Sequence, residues 1–298
     1  MSKKYNINGD EYTFINDIRE SRQLRKSFNL LANNTFGLNF ESWYQNGYWS
    51  NNYIPYVLIN GDEIVSNVSV NIINTRWENQ AKHYIQLGTI MTHHDYQGKG
   101  LSRWLMEKVL KEWEDKCDAV YLFANDRVVD FYPKFGFEEV LEYQYHKIVE
   151  KRDGTMKKLD MSLEYDRKIL LDTYKFSNPF SALPVENNEG LLMFYCSQFM
   201  RENIYYNEQY EAIVVTEYDD EVLVCYDIFC KNKCTIDDIL GTMTEQKTKM
   251  VTFGFTPKKI NDFKITKLQE DDTTLFVLRG KENLFANNQL MFPLLSRA

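Results

Sequence analysis

Residues 87–101 read LGTIMTHHDYQGKGL: an apolar run breaks into a polar turn, then into Gln97-Gly98-Lys99-Gly100 ahead of a second apolar stretch. A strand, a glycine loop and a helix in that order aim several backbone N–H groups at one point. The helix dipole adds partial positive charge there, an arrangement that suits phosphate oxygens. Further on, residues 131–137 read FYPKFGF. Pro133 disfavours helical geometry at Tyr132, so its phenol is expected where a short helix ends.

These groups need a frame. Asp17 can cap a helix over 18–31, with Glu20 completing a capping box, and a short helix is expected at 40–44. Strands at 56–59 and 64–73 are joined by Asn60-Gly61-Asp62, a hairpin signal. Val68, Val70 and Ile72 alternate with Asn67, Ser69 and Asn71, as in a half-buried strand. The strand at 81–91 runs into the glycine loop, and the helix after it spans 100–116. Leu101, Leu105, Val109 and Trp113 share one face of that helix. A short buried strand at 119–123, helical turns at 128–134 and strands at 137–141 and 143–149 complete the first half. The expected fold class is α/β, a mixed central sheet with helices on both faces. The charged, turn-rich stretch 151–158 (KRDGTMKK) marks a boundary, dividing the chain into domains 1–150 and 151–298. The second reads as α/β too, with helices at 163–176, 189–202 and 236–243 (Thr235 capping the last) and strands at 212–217, 221–229, 250–255 and 275–279. Its TFGF at 252–255 echoes KFGF at 134–137.

The two motifs, in this order and spacing, resemble the GNAT superfamily of N-acetyltransferases, which use acetyl-CoA. The family loop has the form Arg/Gln-x-x-Gly-x-Gly/Ala, matched here at Gln97 and Gly100 and departing from it at Ser102. Serine is small and keeps its N–H, and its hydroxyl could reach a phosphate. The resemblance, over about residues 5–150, implies that N–H groups of Gln97, Gly98, Lys99, Gly100, Leu101, Ser102 and Arg103 hold the pyrophosphate of CoA. Lys99 would add charge there. It further implies that Ile90, Met91 and Thr92 pair with the pantetheine arm, that Asn125 contacts this arm, and that Tyr132 lies beside the sulfur as general acid. A phenol of pKa about 10 protonates a thiolate of pKa about 8.5 only uphill, so desolvation or a hydrogen bond must help. The second half is expected to be a degenerate GNAT-like copy or an unrelated α/β domain. It has no glycine loop and is assigned no cofactor site.

No general base stands out. His83, Gln86, Thr89 and His93 lie on or near the central strand, His94 just beyond it, and Glu41 could face an amine. Trp43, Tyr44, Tyr48, Trp49 and Tyr53 lie where GNAT proteins build the acceptor wall. Aromatic faces attract cations, which makes an amine a plausible partner, although ordinary packing explains such residues equally well.

The 298 residues carry a net charge of −8, so nucleic acid is not an expected partner. Five cysteines without a C-x-x-C pair fit a reduced, cytoplasmic protein with no metal site. The first residues lack the apolar core of a signal peptide, and no run of 18 apolar residues suggests a membrane span. The expected function is acetyl transfer from acetyl-CoA to a small-molecule or peptide amine. The alternative is an acyl-CoA-binding regulator without catalysis, motivated by Ser102 and the missing base. A transferase acting on aminoacyl-tRNA is a third reading, disfavoured by the net charge.

Overall fold

The computed structural model describes residues 3–231 and 234–297. The chain opens with a hairpin not foreseen in the sequence, β1 (Lys3–Ile7) paired antiparallel with β2 (Asp10–Ile15). It turns at Asn8 and Gly9, both at positive φ (51° and 98°), the geometry that matches hairpin twist. Helix α1 spans Arg22–Phe36, starting later than expected. Asp17 does not cap it. Ile18 is fully buried and its carbonyl closes a turn with the Ser21 N–H at 3.1 Å. Ser21 then caps the helix by accepting the Leu24 N–H at 3.3 Å. Gly37, at φ 71°, closes the other end.

Helix α2 (Glu41–Gln45) leads into the antiparallel strands β3 (Tyr53–Asn60), β4 (Glu63–Trp77) and β5 (Gln80–Thr92). Helix α3 (Leu101–Trp113) follows the glycine loop and buries Leu101, Leu105 and Val109 against the sheet. Strand β6 (Ala119–Ala124) then pairs parallel with β5, and β7 (Phe137–Glu139) follows. One expectation on β4 fails. Asn67, Ser69 and Asn71 are all buried, so the face read as solvent-exposed is covered.

Strand β8 (Tyr143–Lys147), expected to finish the first sheet, lies in a second one with β9 (Met156–Lys158), β10 (Ile204–Asn207), β11 (Ala212–Asp219), β12 (Val222–Cys230), β13 (Met250–Phe253) and β14 (Lys264–Lys267). Three helices accompany these strands: α4 (Glu164–Tyr174), α5 (Glu189–Phe194) and α6 (Ile236–Gly241). Helix α5 continues into a wide turn at Tyr195–Phe199 and stops short of the expected residue 202. Thr235 caps α6 in a full capping box with Asp238. Strand β15 (Thr274–Leu278) crosses back into the first sheet, between β6 and β7.

The first sheet therefore runs β1-β2-β3-β4-β5-β6-β15-β7, and the second β14-β8-β13-β12-β11-β10-β9. Among the described residues each contains one parallel pair, β5 with β6 and β12 with β13. Beyond that pair each accepts one strand from across residue 150, then ends on one of its own. The second sheet thus repeats the order of the first, and the halves exchange a strand at the same position. The TFGF echo does not follow this repeat: KFGF leads into β7, whereas TFGF ends β13. Among the described residues no helix is long and apolar enough to cross a membrane.

Candidate active site

Strand β5 positions the site by leaving its parallel neighbour. Pairing with β6 runs from Tyr84 with Ala119 to Leu87 with Leu122 and then stops. On its other edge β5 remains paired with β4 as far as Thr92. The edge of residues 88–92 that faces β6 therefore has backbone groups outside the ladder, and such groups need partners. Between the pairs Ser69–Gly88 and Asn67–Met91, β5 carries two residues against one on β4, a bulge.

Thr89 sits in that bulge at φ 44°, an unfavourable conformation for a β-branched residue. Its surroundings hold it there. The Tyr53 hydroxyl lies 2.7 Å from Thr89 Oγ1, and Asn67 Nδ2 donates to the Thr89 carbonyl at 2.7 Å. Ser69 Oγ donates to the Tyr53 hydroxyl at 2.9 Å and accepts from Asn67 Nδ2 at 2.9 Å. Burial pushes the Tyr53 phenol well above its ordinary pKa, so it stays protonated. The signal for this network was present in the alternating polar residues of β4.

The glycine loop follows. His94–Tyr96 form one 3-10 turn, Gly98 and Gly100 take φ 77° and 80°, and α3 begins at Leu101. The first N–H groups of a helix, here of Leu101, Ser102 and Arg103, have no acceptor within it. Asn8 from the first hairpin braces the loop, donating to the Lys99 carbonyl at 2.9 Å. Lys99 Nζ lies 3.4 Å from Asp10 and over the Tyr96 ring; both partners of that ion pair are exposed enough for water to compete. Ser102 Oγ is 2.6 Å from Thr92 Oγ1, which is 2.8 Å from Ser66 Oγ. This hydroxyl ties the helix start to the end of β5. Gln97 Nε2 donates to the Thr92 carbonyl at 3.3 Å, and Arg103 is exposed.

Asn125 follows β6, and its Nδ2 donates to the Asp272 carbonyl and carboxylate at 3.2 and 2.9 Å. Its amide donors are thus engaged by the second half of the chain. Tyr132 begins, rather than ends, a 3-10 turn (Tyr132–Phe135), with Pro133 at an early position that tolerates proline. Its ring is buried against Phe276 of β15 and Phe137, at 5.8 and 6.4 Å between centroids. Burial pushes the phenol up to about 12. Leu87, Leu101, Leu122, Tyr132 and Phe276 share one apolar cluster, so strand, helix start and phenol are packed together.

A cavity of about 250 Å³ opens at Thr89 and Tyr53. Phe40 and Trp43 come from the first half, Leu191, Phe194 and Tyr195 from the second. Trp43 Nε1 donates to the Gly190 carbonyl across the junction at 2.7 Å. Of the expected acceptor wall, Trp43 and Tyr53 line this space. Trp49 is core, Tyr44 stacks on Arg25 with 3.6 Å between guanidinium carbon and ring centroid, and Tyr48 packs at the edges of two clusters. The contribution of α5 was not legible in the sequence.

Of the base candidates only Thr89 lines this cavity. Glu41 pairs with Arg25 at 3.1 Å, and that bond holds its carboxyl below the usual range, which makes it a weak base. His83 Nδ1 lies 2.9 Å from Asn74 Oδ1 toward the start of β5. His93 and His94 stack 4.3 Å apart beside Asp95. Gln86 is buried in the sheet, and neither amide atom finds a partner.

Comparison with known proteins agrees with this geometry. The model of the acetyltransferase (GNAT) family matches residues 24–137. An uncharacterized N-acetyltransferase, ycf52, from Gracilaria tenuistipitata var. liui is 40% identical over 50 residues, 16% of this chain and 27% of that protein. The match thus spans about a quarter of the curated relative. Among solved structures, a conserved Enterococcus faecalis V583 protein described as a probable N-acyltransferase superposes with a TM-score of 0.62 at 13% identity, covering 93% of this chain and 72% of that one. A GCN5-related N-acetyltransferase from Kribbella flavida gives 0.53 at 13% identity, covering 88% and 71%. At such identities the likeness is one of fold, and it extends across both halves. The match to the acetyltransferase (GNAT) family model thus lies within the first half of the chain, over residues 24–137.

Proposed function

We propose that this chain moves an acetyl group from acetyl-CoA directly to the nitrogen of an amine. The first half holds the donor, and both halves shape the acceptor site. One observation carries the reading. The backbone edge freed where β5 leaves β6 lies between a helix start preceded by two left-handed glycines and a cavity that opens at Thr89. Phosphates suit the helix start, an extended amide-bearing arm suits the free strand edge, and an acceptor suits the cavity.

In the reaction the amine nitrogen bonds to the thioester carbonyl carbon, the carbon–sulfur bond breaks, sulfur gains a proton and nitrogen loses one. Tyr132 is the group for the sulfur. Its phenol, raised to about 12 by burial, is in the donor form at neutral pH. The same desolvation raises the pKa of a departing thiolate, which narrows the uphill transfer.

The test is Tyr132→Phe. We expect kcat to fall about 100-fold, with calorimetric affinity for acetyl-CoA changed by less than about threefold and near one equivalent bound. An unchanged kcat, with chemistry shown to limit turnover, removes Tyr132 from the mechanism. Absence of saturable binding at millimolar acetyl-CoA removes the donor site.

A further inference from the structure

We infer that the interdomain cavity receives the ring of an arylamine, an acceptor uncharged at neutral pH, rather than an ammonium-bearing amine. This rests on the acetyltransferase reading for the fate of the amine, but not for how the ring is held. Size is the first constraint. A dry cavity of about 150 Å³ accommodates benzene, so about 250 Å³ has room for one substituted ring and not for a linked set of sugar rings.

Charge is the second. Among the described residues the lining holds no carboxylate and no imidazole, and its one charged side chain is the cation Arg297. The neighbouring carboxylates are spent on that cation: Glu142 bonds it at 2.9 Å, and Glu270 pairs with it as well. The wall therefore offers an ammonium no carboxylate to pair with.

The third is the orientation of the rings. Phe40 is stacked near-parallel on Tyr53 and on Phe194, at interplanar angles of 18° and 14°, and Trp43 on Trp49 at 28°. These stacks turn ring faces of Phe40, Tyr53, Phe194 and Trp43 to other rings, which lessens the face left for a cation. The positive edges of such rings suit the face of a further aromatic.

The chemistry agrees. An alkylammonium with a pKa near that of lysine, about 10.4, is neutral in roughly one molecule in a thousand at pH 7.5, and this wall offers no base to deprotonate it. An arylamine, its lone pair delocalised into the ring, arrives unprotonated and needs no base before it attacks; the proton its nitrogen then loses balances the one the departing sulfur gains.

Tryptophan fluorescence and calorimetry at pH 7.5, without acetyl-CoA, test this with three probes: 4-ethylaniline, 2-phenylethylamine and spermidine. We expect 4-ethylaniline to bind at least tenfold more tightly than 2-phenylethylamine, and spermidine not to saturate. Leu191→Trp, which fills the cavity, should abolish 4-ethylaniline binding. Ser50→Asp, which puts a carboxylate in the lining while retaining an acceptor for the Asn52 N–H, should shift the preference at least tenfold toward 2-phenylethylamine. Equal or tighter binding of either ammonium probe by the wild-type chain overturns the inference, as does an unshifted preference in Ser50→Asp. Binding of 4-ethylaniline by a chain that fails to bind acetyl-CoA would sink the donor reading and leave this one standing.

Discussion

Gly98 and Gly100 share a left-handed backbone, at φ 77° and 80°, but not the same surroundings. A Cβ at Gly98 meets nothing within 4 Å, whereas one at Gly100 lies 2.7 Å from Asn8 Nδ2. Alanine at either site carries the left-handed penalty, about 1–2 kcal/mol. At Gly100 it must also push the Asn8 amide off the Lys99 carbonyl, losing a hydrogen bond worth about 1 kcal/mol net. Gly98→Ala should therefore weaken CoA about 5- to 30-fold, and Gly100→Ala about 30- to 150-fold, at about 1.4 kcal/mol per decade. These are upper figures, reached when the free loop relaxes and the strain falls on binding. Asn8→Ala removes the obstructing amide, so adding Gly100→Ala to it should cost only the left-handed penalty. The assay is calorimetric titration of CoA into the four chains of that cycle, with Gly98→Ala as reference. Equal losses in Gly98→Ala and Gly100→Ala, or a Gly100→Ala effect undiminished by Asn8→Ala, would refute the bracing of the loop by the first hairpin.

Other consequences can be measured on stability. Trp43→Phe leaves the Gly190 carbonyl without its buried donor; a cost of about 1–3 kcal/mol should lower Tm by about 2–8 °C, and an unchanged Tm would mean the link between halves is not stabilising. Burial pushes the Asp227 carboxyl up to about 7. Between about pH 4 and 7 the folded chain therefore keeps a proton that the unfolded chain has released, and stability falls as pH rises through that window, by at most about 1.4 kcal/mol per unit. Asp227→Asn should remove this slope, so that the variant gains on the wild type between pH 5 and pH 8. A difference in Tm independent of pH would contradict that titration.

Local signals carried much of the first half. The spacing of Leu101, Leu105 and Val109 placed α3, Asn60-Gly61-Asp62 placed the β3–β4 turn, and Thr235 placed the start of α6, because each depends on neighbours within a few residues. The glycine loop was legible for the same reason: its two left-handed positions require glycine whatever surrounds them. Even local reading had a limit at α1, where Asp17 was read as the cap, but Ile18 is buried ahead of the helix and Ser21 caps it.

What lay beyond the sequence depended on pairing at long range. A short apolar strand such as Thr274–Leu278 has no local mark naming its partner, so its place between β6 and β7 followed only from the packed sheets, as did the transfer of Tyr143–Lys147 to the second sheet. The buried row Asn67, Ser69 and Asn71 looked solvent-facing because alternation reports two faces without saying what covers each one. Glu41 lost its candidacy as a base to Arg25, sixteen residues away in sequence. The cavity at Thr89 and Tyr53 has walls from both halves and exists only once α5 packs against Trp43 and Phe40. Motif spacing could therefore place the glycine loop, since its geometry is local. The lining of the cavity, set by which side chains meet across the fold, was decided by tertiary structure alone.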